Sequence, residues 1–345
     1  MNGASSRLLF LATVVLLGAC TATRADEALP TTTASVTTIT TTTIATPTTT
    51  TSTTSTAATN PSSTTTTTTA LPVAASLSLE EVATITGDLS PKSIVHSGTG
   101  LFFAQNMMYR HTVTVYNRTF DLVETISDTV DLTEFGLAGA YRGAPVEAAF
   151  TTNGRHGYVS NYQMYGPGFS RPGGDGCGLA GWDESFVYRI DTATLEVDQI
   201  IPVGAVPKYL AVTPDDRLLL VANWCSFDLS VIATADGEEL RRVEVGRHPR
   251  GIAVDPQSTT AYVAVMGSNR IAVLDLVDYS VTWLDGVGTN PRHLVMDPTG
   301  DYLYATLNAE GRVVKIDLET GQVAARVATG SAPRSMTISD DGSAL

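Results

Sequence analysis

The 345-residue chain is short of the side chains that carry most enzymatic chemistry. It has five histidines and three cysteines; charged residues make up 16% and aromatics 7%. Three cysteines exclude a disulfide-dense miniprotein, and no paired C-x-x-C arrangement for zinc is present. No H-E-x-x-H, G-x-S-x-G, P-loop or EF-hand spacing occurs. His96, His111, His156, His248 and His293 are scattered without ligand spacing, so no metal and no cofactor is expected. The absence of a G-x-y period, a sustained heptad and a second long apolar run excludes collagen, coiled coil and polytopic membrane protein. Positive charge is scarce as well, with 21 Lys/Arg against 35 Asp/Glu. Arg7 and Arg24 cancel Asp26 and Glu27, so the whole net charge of −14 falls on residues 80–345. Nucleic acid is therefore not an expected partner, because each phosphate contact needs a cation.

What is present begins with an address. Residues 1–7 carry one arginine, and residues 8–17 are a ten-residue apolar run, the length of a signal h-region and short for a bilayer span. The run leads into Leu17-Gly18-Ala19-Cys20, which resembles a bacterial lipobox. The resemblance implies that residues 1–19 are a lipoprotein signal peptide and that Cys20 is lipidated. It also implies anchoring to the outer side of the bacterial cell membrane, within the cell envelope. A plain secretory signal with an incidental cysteine is the alternative. Residues 31–69 then contain 24 threonines, with nothing to bury a core, so 20–75 reads as a disordered Thr-rich stalk.

The rest is a repeat. Gly204 with Pro207, Gly246 with Pro249, Gly288 with Pro291 and Gly330 with Pro333 set the prolines 42 residues apart, three times over. Looser copies at Gly87/Pro91 and Gly143/Pro145 give intervals of 54 and 62, which imply insertions. Each proline precedes a short apolar segment (209–212, 251–254, 293–296, 335–338), a turn and a second apolar segment. A third ends at Asp191, Asp275 and Asp317, and a fourth leads into the next glycine. Four short strands per repeat of this length is the arithmetic of a β-propeller blade. The recurring aspartates read as turn hydrogen-bonders, not catalysts.

The segments Tyr158-Val159-Ser160-Asn161 and Leu220-Val221-Ala222-Asn223, with a weaker copy at 103–106, resemble the YVTN repeat of the YncE-like, surface-layer-like β-propellers. The resemblance covers about residues 80–345 and implies an all-β propeller of four-stranded blades, placed as a domain at 76–345. Val265 and Leu307 replace the motif's Asn, so the blades are not equivalent. The sequence accommodates five complete blades, a leading strand at 82–86 expected to pair with the last blade, and a stub of a sixth. Closure as six or seven blades would need roughly 20 or roughly 70 further residues, so the propeller is expected to be truncated at the C-terminus.

Two features could carry function. Long loops at 131–143 and 162–184 interrupt the regular scaffold on one face, where loops commonly bind. Cys177 lies in the second, and Cys225 in the equivalent loop of the next blade, which predicts a Cys177–Cys225 disulfide in an exported protein; two free thiols are the alternative. Trp182 and Trp224 flank the pair, either to stack on a ligand or to pack the loop down. The residue after the anchor proline is Lys92, Lys208, Arg250, Arg292 and Arg334, basic in five of six repeats, and the chain has only three lysines. These five should ring the mouth of the channel, with His248 and His293 nearby in register, and hold an anionic small molecule or a cell-wall glycan. Pairing of each cation with a neighbouring carboxylate is the competing role. The expected function is a binding or scaffold module at the envelope, with an envelope protein as a further candidate partner. The alternative is a hydrolase like the propeller lactonases, acting on a sugar-acid lactone.

Overall fold

In a computed structural model, the structure describes residues 34–38, 80–178 and 181–345. The expected signal peptide, Cys20 and all but five residues of the expected stalk lie outside the described residues. Those five form β1 (Ala34–Thr38), which pairs antiparallel with β2 (Glu80–Ile85). The expected leading strand is thus present, two residues earlier than its sequence bounds, but it pairs with β1 and not with the last blade. No sixth four-stranded sheet exists among the described residues for β2 to extend, and its ladder groups take the partner available.

Five four-stranded antiparallel sheets follow. Blade one is β3 (Ser93–His96), β4 (Phe102–Asn106), β5 (Thr112–Tyr116) and β6 (Leu122–Ser127). The hairpin β7 (Thr129–Asp131) and β8 (Ala140–Arg142) is the first insertion. Blade two is β9 (Pro145–Phe150), β10 (His156–Asn161), β11 (Ser185–Asp191) and β12 (Glu196–Val203). Blade three is β13 (Pro207–Val212), β14 (Leu218–Asn223), β15 (Asp228–Ala233) and β16 (Glu239–Glu244). Blade four is β17 (Pro249–Val254), β18 (Thr260–Val265), β19 (Ile271–Asp275) and β20 (Val281–Leu284). Blade five is β21 (Pro291–Met296), β22 (Tyr302–Leu307), β23 (Arg312–Asp317) and β24 (Gln322–Ala328). The first strands touch one another in succession, β3 to β9, β13, β17 and β21, which makes them the inner wall of a β-propeller. Residues 335–338, expected as a further inner strand, are not a strand, because no second strand stands beside them to complete the ladder.

Middle strands of blades two to four are apolar on both faces because a blade stands on each side of them. In β14, Leu219 and Val221 pack with Tyr158 and Val187 of blade two, while Leu220 and Ala222 pack with Ile252, Ala261 and Val263 of blade four. One strand thereby serves two cores through its period of two. Truncating Leu220 to alanine removes side-chain volume that is fully buried, a change that costs about 2–5 kcal/mol in such cores. Outer strands such as β24 have water on most of their surface.

The proline signature has a packing reason. A Cβ on Gly204 would lie 2.7 Å from Asn223, and one on Gly288 would lie 2.2 Å from Leu307. The last side chain of the second strand therefore sits on the glycine that starts the repeat, whether that side chain is polar or apolar. Residues before the prolines are left-handed at every regular repeat: Val206 (+57°), His248 (+60°), Asn290 (+54°) and Ala332 (+51°). This turn brings the chain to the inner wall and delivers the residue after each proline to the channel. The aspartates at the ends of β11, β19 and β23 accept backbone N–H bonds from Ala193 (2.8 Å), Val277 (2.7 Å) and Thr320 (2.8 Å), closing the next turn.

Candidate functional site

Repeat register gathers the five cations. Lys92, Lys208, Arg250, Arg292 and Arg334 line one cavity of about 150 Å³ together with Met107, Val146, Tyr162 and Asp175. Val146 occupies the sixth register position, so blade two breaks the ring with an apolar residue. One residue further along the inner strands lies a second cavity of about 500 Å³, again lined by Lys92, Arg250, Arg292 and Arg334, and now by Ser93, Glu147, Tyr209 and His293.

The cations are not equivalent. Lys208 is 7% exposed and pairs with Asp175 from the long loop of blade two. Its ammonium lies 3.8 Å from the centre of the Trp224 ring and 5.4 Å from that of Tyr162. Burial lowers Lys208 to about 8, although Asp175 opposes the fall. Asp175 would be raised by burial, but the Lys208 ammonium and the Tyr162 hydroxyl, donating at 3.0 Å, hold it below the usual carboxylate range. By contrast, Lys92, Arg250, Arg292 and Arg334 have no carboxylate within 4.0 Å among the described residues. Arg250 donates weakly to the Lys208 carbonyl at 3.4 Å. Burial and the guanidinium groups of Arg250 and Arg334 bring Arg292 down to about 10. Uncompensated like charges in one cavity favour an anion over water.

The loop that carries Asp175 is fastened beside the ring. Cys177 and Cys225 form a disulfide with a Cα–Cα distance of 5.1 Å. The Trp224 indole N–H donates to the Asp175 carbonyl at 3.1 Å. Cys177, Cys225, Trp224, Ala205 and Val206 form a small core, with Trp182 packed against it. Trp182 thus packs the loop, and Trp224 is already engaged by Lys208 and by His248, stacked at 4.4 Å. His248 lies against Trp224 and Phe227, outside both cavities. His293 lines the lower one, where the Tyr209 hydroxyl is 3.1 Å from its Nε2. Burial, then Arg250 and Arg292, lower His293 to about 4.

Sequence reading missed Glu147, Tyr209, Asp175 and Tyr162. The first two were within reach, since the second residue after each anchor proline reads Ser93, Glu147, Tyr209, Gly251, His293 and Ser335. Glu147 is half-buried, and burial raises its carboxyl to about 7 even with Ser93 and Arg250 acting against the shift. Asp175 sits in an insertion with no repeat register to reveal it. Elsewhere, His156, Asp191 and Asp198 bring ligand-type atoms within 4.8 Å of one another. Arg155 pairs with Asp191 at 2.6 Å and Arg189 with Asp198 at 2.8 Å, so those carboxylates are already neutralised.

One family comparison agrees with this architecture. Residues 180–344 match the family model described as YNCE-like beta-propeller, so the resemblance seen in the repeats holds from β11 through blade five. No curated protein matches the chain. Among solved structures, a chain of hydrazine synthase from Kuenenia stuttgartiensis is similar with a TM-score of 0.47 and 19% identity, covering 74% of this chain and 92% of that one.

Proposed function

We propose that this β-propeller is a binding module that holds the carboxylate or phosphate of a small molecule or cell-wall glycan in its central channel. The observation that carries the reading is the set of four cations, Lys92, Arg250, Arg292 and Arg334, sharing one cavity without a carboxylate partner. An acidic body makes such a cluster a local focus of positive potential, which raises the concentration of an anion at the channel mouth. Guanidinium groups suit the task because they present forked donors to planar or tetrahedral oxyanions.

In the same reading the domain is exported and held on the outer side of a bacterial membrane by lipid on Cys20, with the Thr-rich segment as a spacer. Support for that part is the signal-like N-terminus and the lipobox-like tetrapeptide. Cys20→Ser should move the protein from the membrane fraction to the soluble one; unchanged fractionation rejects the anchor. For the channel, titration calorimetry of the full chain with inorganic phosphate and with gluconate at low salt is the direct test. Binding of at least one anion is expected, and Arg250→Glu with Arg292→Glu should abolish it. An affinity that survives the double reversal rejects the channel as the site.

A further inference from the structure

The cation ring accounts for the charged end of a ligand and leaves the tier beneath it unexplained. That tier is one cavity containing a single carboxyl, Glu147, with Tyr209, His293 and Ser93 around it. We propose that the channel takes a hydroxy-carboxylate of the sugar-acid class, its carboxylate among Arg250, Arg292 and Arg334 and a hydroxyl held between Glu147 and His293. The assignment rests on the anion-binding reading above and narrows its ligand.

The donor and acceptor inventory selects the hydroxyl. Ser93 is occupied, its one hydroxyl proton serving either Gln105 Oε1 at 2.5 Å or the Val146 carbonyl at 2.8 Å. His293 Nε2 is occupied by Tyr209. His293 Nδ1 and Arg292 Nε are buried with no hydrogen-bond partner, and buried polar atoms in native proteins are rarely left so. An ionised Glu147 only accepts, and a guanidinium Nε–H only donates. A group that donates to the first and accepts from the others is a hydroxyl. With its carboxyl raised to about 7, Glu147 is present in both forms near neutral pH; a hydroxyl can donate to the carboxylate or accept from the acid, whereas a bare carboxylate or a phosphate dianion has no proton to give the ionised form. His293 is uncharged at neutral pH, and in the tautomer whose Nε2 accepts from Tyr209 its Nδ1–H is a neutral donor toward the ligand. The arrangement recurs nowhere else in the ring: Gly251 stands in this register in blade four, where a Cβ would lie 2.7 Å from the His293 Cα. Glycine there brings β17 and β21 close together and sets His293 on the wall.

Sodium gluconate and sodium hexanoate, equal in carbon count and charge and differing in hydroxyls, are the probes. Titration calorimetry of the full chain should show gluconate binding about tenfold tighter or more, a modest share of what hydroxyl recognition in a built site can deliver. Glu147→Met should bring the two ligands to within about threefold of one another, mainly by weakening gluconate. His293→Phe, which keeps an aromatic ring against Tyr209, should do the same and serves if the first variant does not fold. Equal affinity for both probes in the wild-type protein overturns this assignment and leaves the anion site standing. A gluconate preference unchanged in both variants overturns it too. If neither probe binds, this assignment falls, and the reading beneath it falls with it only when inorganic phosphate does not bind either.

Discussion

The two arcs of the cation ring come from the same strand position and meet different fates. Lys208 stands between Trp224, Tyr162 and Asp175 and is almost wholly enclosed. Arg250 and Arg292 are half-buried, and Lys92 and Arg334 exposed, with no ion pair among the described residues. Repeat register therefore makes the charges, but a loop decides which remain available. The long insertion of blade two delivers one carboxylate to one cation and stops there. Pairing accounts for the closed arc, and the proposed anion site is confined to the open one.

The strongest way to break the contrast is to unfasten the loop. Cys177 and Cys225 are 48 residues apart, and closing a loop of that length is worth about 4 kcal/mol in the chain-entropy account, with native proteins commonly showing less. Cys177→Ser with Cys225→Ser should lower unfolding stability by about 3 kcal/mol, read as a shift in the urea midpoint at constant slope. Thiol reductant should reproduce the loss in the wild type and do nothing further to the variant. A loss below about 1 kcal/mol would mean that Trp182 and Trp224 hold the loop without the bridge.

How much of this could be read before the structure follows the same division. Blade count, strand order and the cation register are periodic, and periodicity survives in a single sequence. The glycine–proline spacing showed where each inner strand begins because Asn223 or Leu307 must sit on that glycine. Asp175 was illegible, since nothing in the insertion repeats and its place depends on the fastened loop and on Trp224. Glu147 was hidden for another reason: register aligned it with Tyr209 and His293, but burial in a shared cavity is what sets it apart from any surface glutamate. The strand 82–86 was legible as a strand and not in its partner, because sequence gives the pleat and not which edge is nearby.

Glu147 is to the open arc what Asp175 is to the closed one, with burial in place of pairing. Among the charges around Arg250, Glu147 is the one that most favours its cationic form. Its carboxyl rises from an ordinary 4.5 to about 7, so the folded state keeps a proton that the unfolded chain has released. A raised carboxyl contributes its stability fully below about pH 4.5 and loses it as pH climbs through 7. One unit is worth about 1.4 kcal/mol, and allowing for partial solvent access the swing is about 2 kcal/mol. Glu147→Gln should therefore gain about 2 kcal/mol on the wild type between pH 5 and pH 8. His293, lowered to about 4, titrates in the opposite sense, with stability lost as pH falls below its ordinary 6.5. That contribution is present in both proteins and drops out of the difference. A difference flat with pH would show the carboxyl to be solvated and the lower cavity open to water.

The finest test is to remove one charge from the closed arc while leaving its architecture in place. Asp175→Asn keeps an acceptor for the Tyr162 hydroxyl and leaves the Trp224 indole bonded to the backbone carbonyl. It withdraws the negative charge facing Lys208 and, at a pH low enough to keep Lys208 protonated without its partner, adds one to the net positive charge of the ring. The cavity is partly open, so the added attraction on a bound anion is of order 0.7 kcal/mol at low salt, about threefold in phosphate affinity. The gain should shrink as ionic strength rises toward about 0.15 M, where charges beyond about 8 Å are screened. Lys208→Met in the same background should return the affinity to the wild-type value, because the released ammonium is then gone as well. If Asp175→Asn leaves phosphate binding unchanged at every salt, Lys208 is too deeply enclosed to act on the ligand, and the ring's working surface is the arginine arc together with Lys92.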